Sequence, residues 1–232
     1  MAQTLRLNKF IAAHSQYSRR AVDELLAKGK ITVAGTVATV GMKIDPDHLP
    51  VIKLNGKSII EHDQTMTYVL LNKPKGCVVT RAHFLTERSV MTLLPSSLQH
   101  LRPVGRLDKH STGLLLLTND GEIINQFTHP RYEHDKEYIV TVKYPLKPDD
   151  ITAWRRGVHL EEGFTGPNAS VEQLDDNRFR IVLRQGWNRQ IRRMVELRQN
   201  RVLELERIRL GQMVLDNLPL GKWKVIQRAA II

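Results

Sequence analysis

Asp108 is the carboxylate whose neighbours in sequence suit it to chemistry. It lies in the run Gly105-Arg106-Leu107-Asp108-Lys109-His110-Ser111-Thr112-Gly113, which passes straight into Leu114-Leu115-Leu116-Leu117-Thr118-Asn119-Asp120-Gly121. Glycines bracket the loop and the leucines tie it to buried structure, so the carboxylate is positioned to act as a nucleophile or to stabilise an ion. A solitary loop aspartate more often caps a turn, so the company it keeps decides. Two basic stretches supply that company. One is Lys73, Lys75 and Arg81; the other is Arg184-Gln185-Gly186-Trp187-Asn188-Arg189-Gln190-Ile191-Arg192-Arg193-Met194, inside a segment 184–209 that carries eight Lys/Arg against three acids. Such stretches suit contacts to phosphates. A single cysteine, Cys77, excludes an intrachain disulfide framework and a thiolate zinc cluster, and the nine histidines lack metal-ligand spacing. Neither a P-loop nor a dinucleotide-binding fingerprint is present, so the chemistry expected is that of a carboxylate without cofactor or metal.

The elements that must hold these residues fall into two modules. In the first, Leu7, Phe10 and Ile11 repeat at helical spacing, and Val22, Leu25 and Leu26 mark a second helix with Ser18 as N-cap and Gly29 as stop. Short strands follow at 31–33, 36–40 and 51–54, with turns at Ala34-Gly35 and Asn55-Gly56. The apolar pattern lapses around Glu61-His62-Asp63-Gln64, which places a linker at 61–66 between modules at 4–60 and 67–232. In the second module strands are expected at 68–71, 114–118, 137–142, around Phe179-Ile181-Leu183, and at 202–210. Helices are expected at 90–94, 122–128, about 149–156 after Pro148, and from Ile191 to Arg198. This is an α+β chain, a small α/β module followed by a mainly antiparallel sheet with flanking helices.

Composition agrees with an ordinary globular protein of 232 residues, 41% hydrophobic and 25% charged. Its formal charge of +11 favours a polyanionic partner. The excess is divided, +5 over residues 1–60 and +8 over 67–232. No apolar run approaches the roughly 20 residues of a membrane span, and the first residues lack the apolar core of a secretory signal. A soluble, cytoplasmic, monomeric protein with no membrane partner is expected.

The Asp108 string resembles the signature of the RsuA-type pseudouridine synthases over 17 positions without a gap, and the resemblance continues in order along the chain. Leu71-Asn72-Lys73-Pro74-Lys75-Gly76, Lys136-Glu137-Tyr138, Arg184 to Met194, Arg207-Ile208-Arg209-Leu210-Gly211 and Leu220-Gly221-Lys222-Trp223 all find counterparts. The first module looks like the ribosomal S-four-type RNA-binding domain that precedes many of these enzymes. Asp108 to Ser111 and His134 to Val142 look most like the RluF branch. The resemblance implies isomerisation of a uridine in ribosomal RNA to pseudouridine, with large-subunit rRNA favoured. It assigns Asp108 as nucleophile, Arg192 as its cationic partner and Tyr138 as the residue that stacks on the target base, with assistance in removing the displaced proton as a second part open to it. Arg192 suits its part because a carboxylate in an apolar pocket is neutralised unless a cation accompanies it. Whether Asp108 attacks the sugar or the base, or abstracts a sugar proton, stays open. Arg106 is expected to hold phosphate or help keep the target base out of its stack. Lys73, Lys75, Arg189 and Arg193 would contact the RNA backbone, and Arg6, Lys9, Arg19 and Arg20 would dock paired RNA by shape.

The chain departs from the family pattern at Ser111, where threonine is common, and at Thr92, where an acid is frequent. It ends at Ile232 without the long basic tail of some members, so a target recognised through such a tail is not expected. Small-subunit rRNA and tRNA remain alternative substrates. A non-catalytic ribosome-assembly factor is disfavoured by the joint presence of Asp108, Tyr138 and Arg192. A transcription factor using the first module as a helix-turn-helix is disfavoured by the enzyme-like motifs from Thr67 onward.

Overall fold

The computed structural model describes residues 4–15, 17–46, 48–59, 65–80, 86–129, 131–166 and 170–232. Arg81 and the linker residues Glu61 to Gln64 lie outside them. The chain divides into two compact units, Met1–Met66 and Thr67–Ile232.

The first unit contains β1 (Leu5–Arg6), α1 (Leu7–Ala13), α2 (Arg19–Ala27), β2 (Ile31–Val33), β3 (Thr36–Val37), β4 (Lys43–Ile44), β5 (Ile52–Leu54) and β6 (Lys57–Ser58). Ser18 starts α2 by accepting the Ala21 N–H at 3.1 Å, which satisfies one of the donors a helix start leaves free. Gly29 ends it in the left-handed region at φ +64°, where a side chain would be strained. Asn55 and Gly56 have φ +48° and +83°, the twist that joins β5 to β6 as a tight hairpin. Leu7, Phe10 and Ile11 of α1 pack on Val22 and Leu26 of α2 and on Ile31, Val33 and Ile52 of the sheet. The strand expected at 36–40 is cut to Thr36–Val37.

The second unit is built on a nine-stranded sheet with the central order β13-β14-β10-β15-β9-β7-β17. Its elements are β7 (Tyr68–Lys73), β8 (Arg102–Pro103), β9 (Thr112–Thr118), α3 (Gly121–Thr128), β10 (Lys136–Val142), α4 (Pro148–Arg156), β11 (His159–Leu160), β12 (Gly163–Phe164), β13 (Val171–Gln173), β14 (Arg178–Leu183), α5 (Gln190–Glu196), β15 (Val202–Leu210), β16 (Met213–Val214) and β17 (Trp223–Ile226). β9 and β15 run parallel; the other pairs are antiparallel. The helix expected at 90–94 is a 3-10 turn over Val90–Leu93.

The four leucines of β9 need no alternation because both faces of the sheet are covered there. Leu114 and Leu116 join a core with Ile123 and Phe127 of α3, while Leu115 and Leu117 enter a second core with Met91 and Leu101. A third core lies under α4 and α5. There Trp154 stacks on Phe179 with ring centroids 4.5 Å apart and donates its Nε1–H to the Met194 carbonyl at 3.1 Å. That bond joins α4 to α5, the helix that carries Arg192.

One close approach fixes the loop before β9. A Cβ on Gly113, whose φ is +104°, would stand 2.3 Å from the Arg207 carbonyl oxygen and 2.6 Å from its nitrogen. Only glycine lets β9 and β15 pair in parallel at this point. Among the described residues no helix is long and apolar enough to cross a membrane.

Candidate active site

The Asp108 loop enters β9 with its backbone held from below by a buried lysine. Lys73, the last residue of β7, is 0% exposed, and its ammonium donates to the carbonyls of Ser111 (2.7 Å), Asp108 (3.0 Å), Pro74 (3.2 Å) and Lys109 (3.4 Å). Burial pushes its pKa down from 10.5 to about 8. This corrects the expectation that Lys73 contacts RNA: its charge is used up inside the protein and cannot reach a phosphate. Further bonds complete the loop, from the Ser111 N–H to the Asp108 carbonyl at 3.0 Å and from the Gly76 N–H to the Lys109 carbonyl at 2.9 Å.

Arg192 approaches from α5. Its Nε stands 3.7 Å from Asp108 Oδ2, an ion pair longer than a hydrogen bond. One terminal nitrogen of the guanidinium donates to the His110 carbonyl at 3.3 Å and to Ser111 Oγ at 3.4 Å; the other reaches the Val202 carbonyl at 3.5 Å. Ser111 therefore keeps the hydroxyl that the loop requires and spends it on the arginine. The Arg192 side chain is 9% exposed and that of Asp108 is 34% exposed, so the carboxylate faces solvent while its cation is buried. Burial disfavours the Arg192 charge and the Asp108 carboxylate favours it.

Asp108 lines a cavity of about 650 Å³ whose wall also includes Leu107, Tyr138, Leu183, Ile191 and Leu205. That is room for a nucleotide. Tyr138 is half-buried on β10, between Ile181 of β14 and Arg207 of β15. Of the three residues expected at the reaction centre, Asp108 and Tyr138 thus share one cavity, and Arg192 pairs with the first. Arg106 and Arg189 are exposed and also line it.

The remaining expected RNA contacts are differently placed. Lys75 is exposed and paired with Glu204 at 3.1 Å. Arg193 forms a two-pronged pair with Glu162 at 2.8 Å per bond, which raises its pKa and lowers that of the glutamate. In the first unit Arg6, Lys9, Arg19 and Arg20 are all exposed.

Two cavity residues went unselected in the sequence. Lys136 donates to the carbonyls of Arg184 (2.9 Å) and His134 (3.1 Å), and burial, with Arg207 nearby, lowers its pKa to about 8. Arg207 is 3% exposed and donates Nε to the Leu114 carbonyl at 2.8 Å. The signal was available: Lys136 precedes Tyr138 by two residues and Arg207 follows Leu205 by two, the spacing that puts strand residues on one face. Among the described residues no group of three or more His, Cys, Asp or Glu converges as metal ligands would.

Comparison with known proteins bears on the family. Residues 67–197 match the family described as RNA pseudouridylate synthase, and residues 5–49 match the S4 domain. The chain is 36% identical over 222 residues to the dual-specificity RNA pseudouridine synthase RluF of Escherichia coli (strain K12), covering 95% of this chain and 75% of the relative. It is 38% identical over 223 residues to the ribosomal large subunit pseudouridine synthase B of Bacillus subtilis (strain 168), covering 93% and 89%. A solved pseudouridylate synthase structure superposes with a TM-score of 0.72 at 29% identity, over 98% of both chains. Because the family match alone spans more than half of the sequence, and relatives above 30% identity extend it over nearly all of it, the chain belongs to the RNA pseudouridylate synthase family.

Proposed function

We propose that this chain isomerises a specific uridine of ribosomal RNA to pseudouridine, with large-subunit rRNA as the substrate. The observation that carries the reading is the Asp108 carboxylate, 3.7 Å from a buried arginine and set in the wall of a nucleotide-sized cavity that Tyr138 also lines. The large-subunit assignment draws on the named activity of the Bacillus subtilis relative.

The reaction breaks the bond from uracil N1 to ribose C1′, turns the base and joins C5 to C1′. The C5 proton leaves and N1 gains one, so no oxidant, reductant or water is consumed. Asp108 is the group that meets the reacting nucleotide as nucleophile. Arg192 pairs with it and aims it, while its terminal nitrogens reach His110, Ser111 and Val202. Tyr138 offers its ring to the base, and the apolar wall of Leu107, Ile191 and Leu205 excludes water once the base enters. Arg106, exposed at the cavity, takes a phosphate or the space the base vacates.

In the same reading residues 4–60 dock the RNA through Arg6, Lys9, Arg19 and Arg20, residues 61–66 link the modules, and residues 67–232 catalyse. The protein acts as a monomer in the cytoplasm. Mapping pseudouridines in rRNA and tRNA from cells with and without the gene tests the assignment. Loss of one large-subunit site is expected; loss confined to small-subunit rRNA or tRNA overturns the substrate, and no loss anywhere overturns the function.

A further inference from the structure

A second cavity, of about 330 Å³, adjoins the first through Arg189, which lines both. Its wall is formed by Lys75, His110, Arg189, Arg192, Arg201 and Glu196, with two aliphatic residues from the start of β15. Four permanent cations line it against one carboxylate; Glu204 pairs with Lys75 and Asp108 with Arg192, which leaves Arg189 and Arg201 in excess over Glu196 and the space suited to an anion. Arg189 stands near enough to disfavour the charge on Arg192.

Donors remain there: Arg189 reaches Glu196 only at 3.8 Å. Arg201 is exposed and its guanidinium makes no ion pair among the described residues. The apolar lining is too small to bind a base, so an anionic, strongly hydrogen-bonding group fits better than a second nucleobase.

Position supplies the rest. His110 belongs to the Asp108 loop, and Arg192 lines this second cavity while its Nε lies 3.7 Å from the Asp108 carboxylate. A nucleotide whose C1′ meets Asp108 has its backbone phosphates one ribose away. We propose that the second cavity is a phosphate site for the RNA strand beside the target uridine, that Arg201, Arg189 and Lys75 hold that phosphate, and that Arg192 is shared between it and Asp108. The proposal rests on the pseudouridine synthase reading above and adds to it where the strand leaves the base pocket.

Arg201→Gln tests it because the side chain is exposed and its loss leaves no buried partner. The probe is an in vitro transcript of large-subunit rRNA, with the full chain assayed for binding over a salt series and for pseudouridine formation. Kd should rise about three- to tenfold near physiological salt, and the slope of log Kd against log salt should fall by about 0.7 to 0.9, the share of one phosphate contact. Once RNA saturates, kcat should stay within about twofold of the original, since binding and not chemistry is weakened. Lys224→Gln, which removes an exposed cation elsewhere on β17, should change neither quantity. Unaltered Kd and slope for Arg201→Gln, or an equal change for Lys224→Gln, would overturn the site. If pseudouridine forms normally while the slope stays unaltered, the phosphate site fails and the enzyme reading stands. If no RNA is ever modified yet Arg201→Gln lowers the slope, the enzyme reading fails and the phosphate site stands.

Discussion

Lys73→Met removes the ammonium that holds the reactive loop and keeps the length and apolar stem of the side chain. In the native protein three strong donations reach Ser111, Asp108 and Pro74 at 2.7, 3.0 and 3.2 Å. Hydrogen bonds from a charged group contribute about 1.5–3 kcal/mol each, so the three together are worth roughly 5–9 kcal/mol. Keeping the ammonium dry opposes them: a pKa lowered from 10.5 to about 8 corresponds to roughly 3 kcal/mol. The remaining few kcal/mol falls on the loop, because all the acceptors but Pro74 lie between Asp108 and Ser111. Water can replace part of it once the loop relaxes, so the protein should stay folded, with stability in urea lower by about 1–2 kcal/mol. Catalysis has no such substitute. A carboxylate displaced by an ångström or so should lose about 100-fold in kcat. The assay is release of tritium from RNA labelled at uracil C5, alongside urea unfolding. Because the ammonium touches no RNA, KM and its salt dependence should be unchanged. A folded Lys73→Met protein with native kcat would refute the reasoning, and so would one with raised KM and a shallower salt slope.

Gly113→Ala should force β9 away from β15, because its Cβ would fall 2.3 Å from the Arg207 carbonyl oxygen; a loss of about 2–4 kcal/mol is expected in urea, and an unshifted midpoint would show that the strands can part freely. The folded protein sheds the Lys136 proton near pH 8 whereas the unfolded chain keeps it to about 10.5. Stability owed to this group therefore rises with pH across that window, and Lys136→Met should remove that rise from a urea-midpoint series against pH; an identical series would exclude it. Tyr138→Phe should retain activity within about tenfold if the ring stacks on the base, whereas Tyr138→Leu should lose about 100-fold or more; equal loss in both would mean that the hydroxyl, not the ring, is the working part.

Sequence and structure meet most closely where the information is local. Ser18 and Gly29 bound α2, and Asn55-Gly56 turns β5 into β6, because caps and tight turns are decided by one or two residues. The Asp108 run is continuous in the chain, so its loop and its buried strand could be read together. The misplacement of Lys73 has the opposite origin. Lysine after an apolar strand ordinarily faces water, and the carbonyls that hold this one come from a loop about 35 residues away. Arg193 was likewise read by its charge alone, because Glu162, which occupies it, lies 31 residues earlier. Short strands such as β11 and β12 have two residues each and no alternation to detect.

The central claim is that the Asp108 carboxylate carries the reaction. Asp108→Asn keeps the shape of the side chain and removes the charge, leaving Arg192 its bonds to His110 and Ser111. In purified protein acting on large-subunit rRNA, pseudouridine formation should fall by at least about 1,000-fold while RNA binding stays within about threefold. Pseudouridine formed by Asp108→Asn at the native rate would contradict the account.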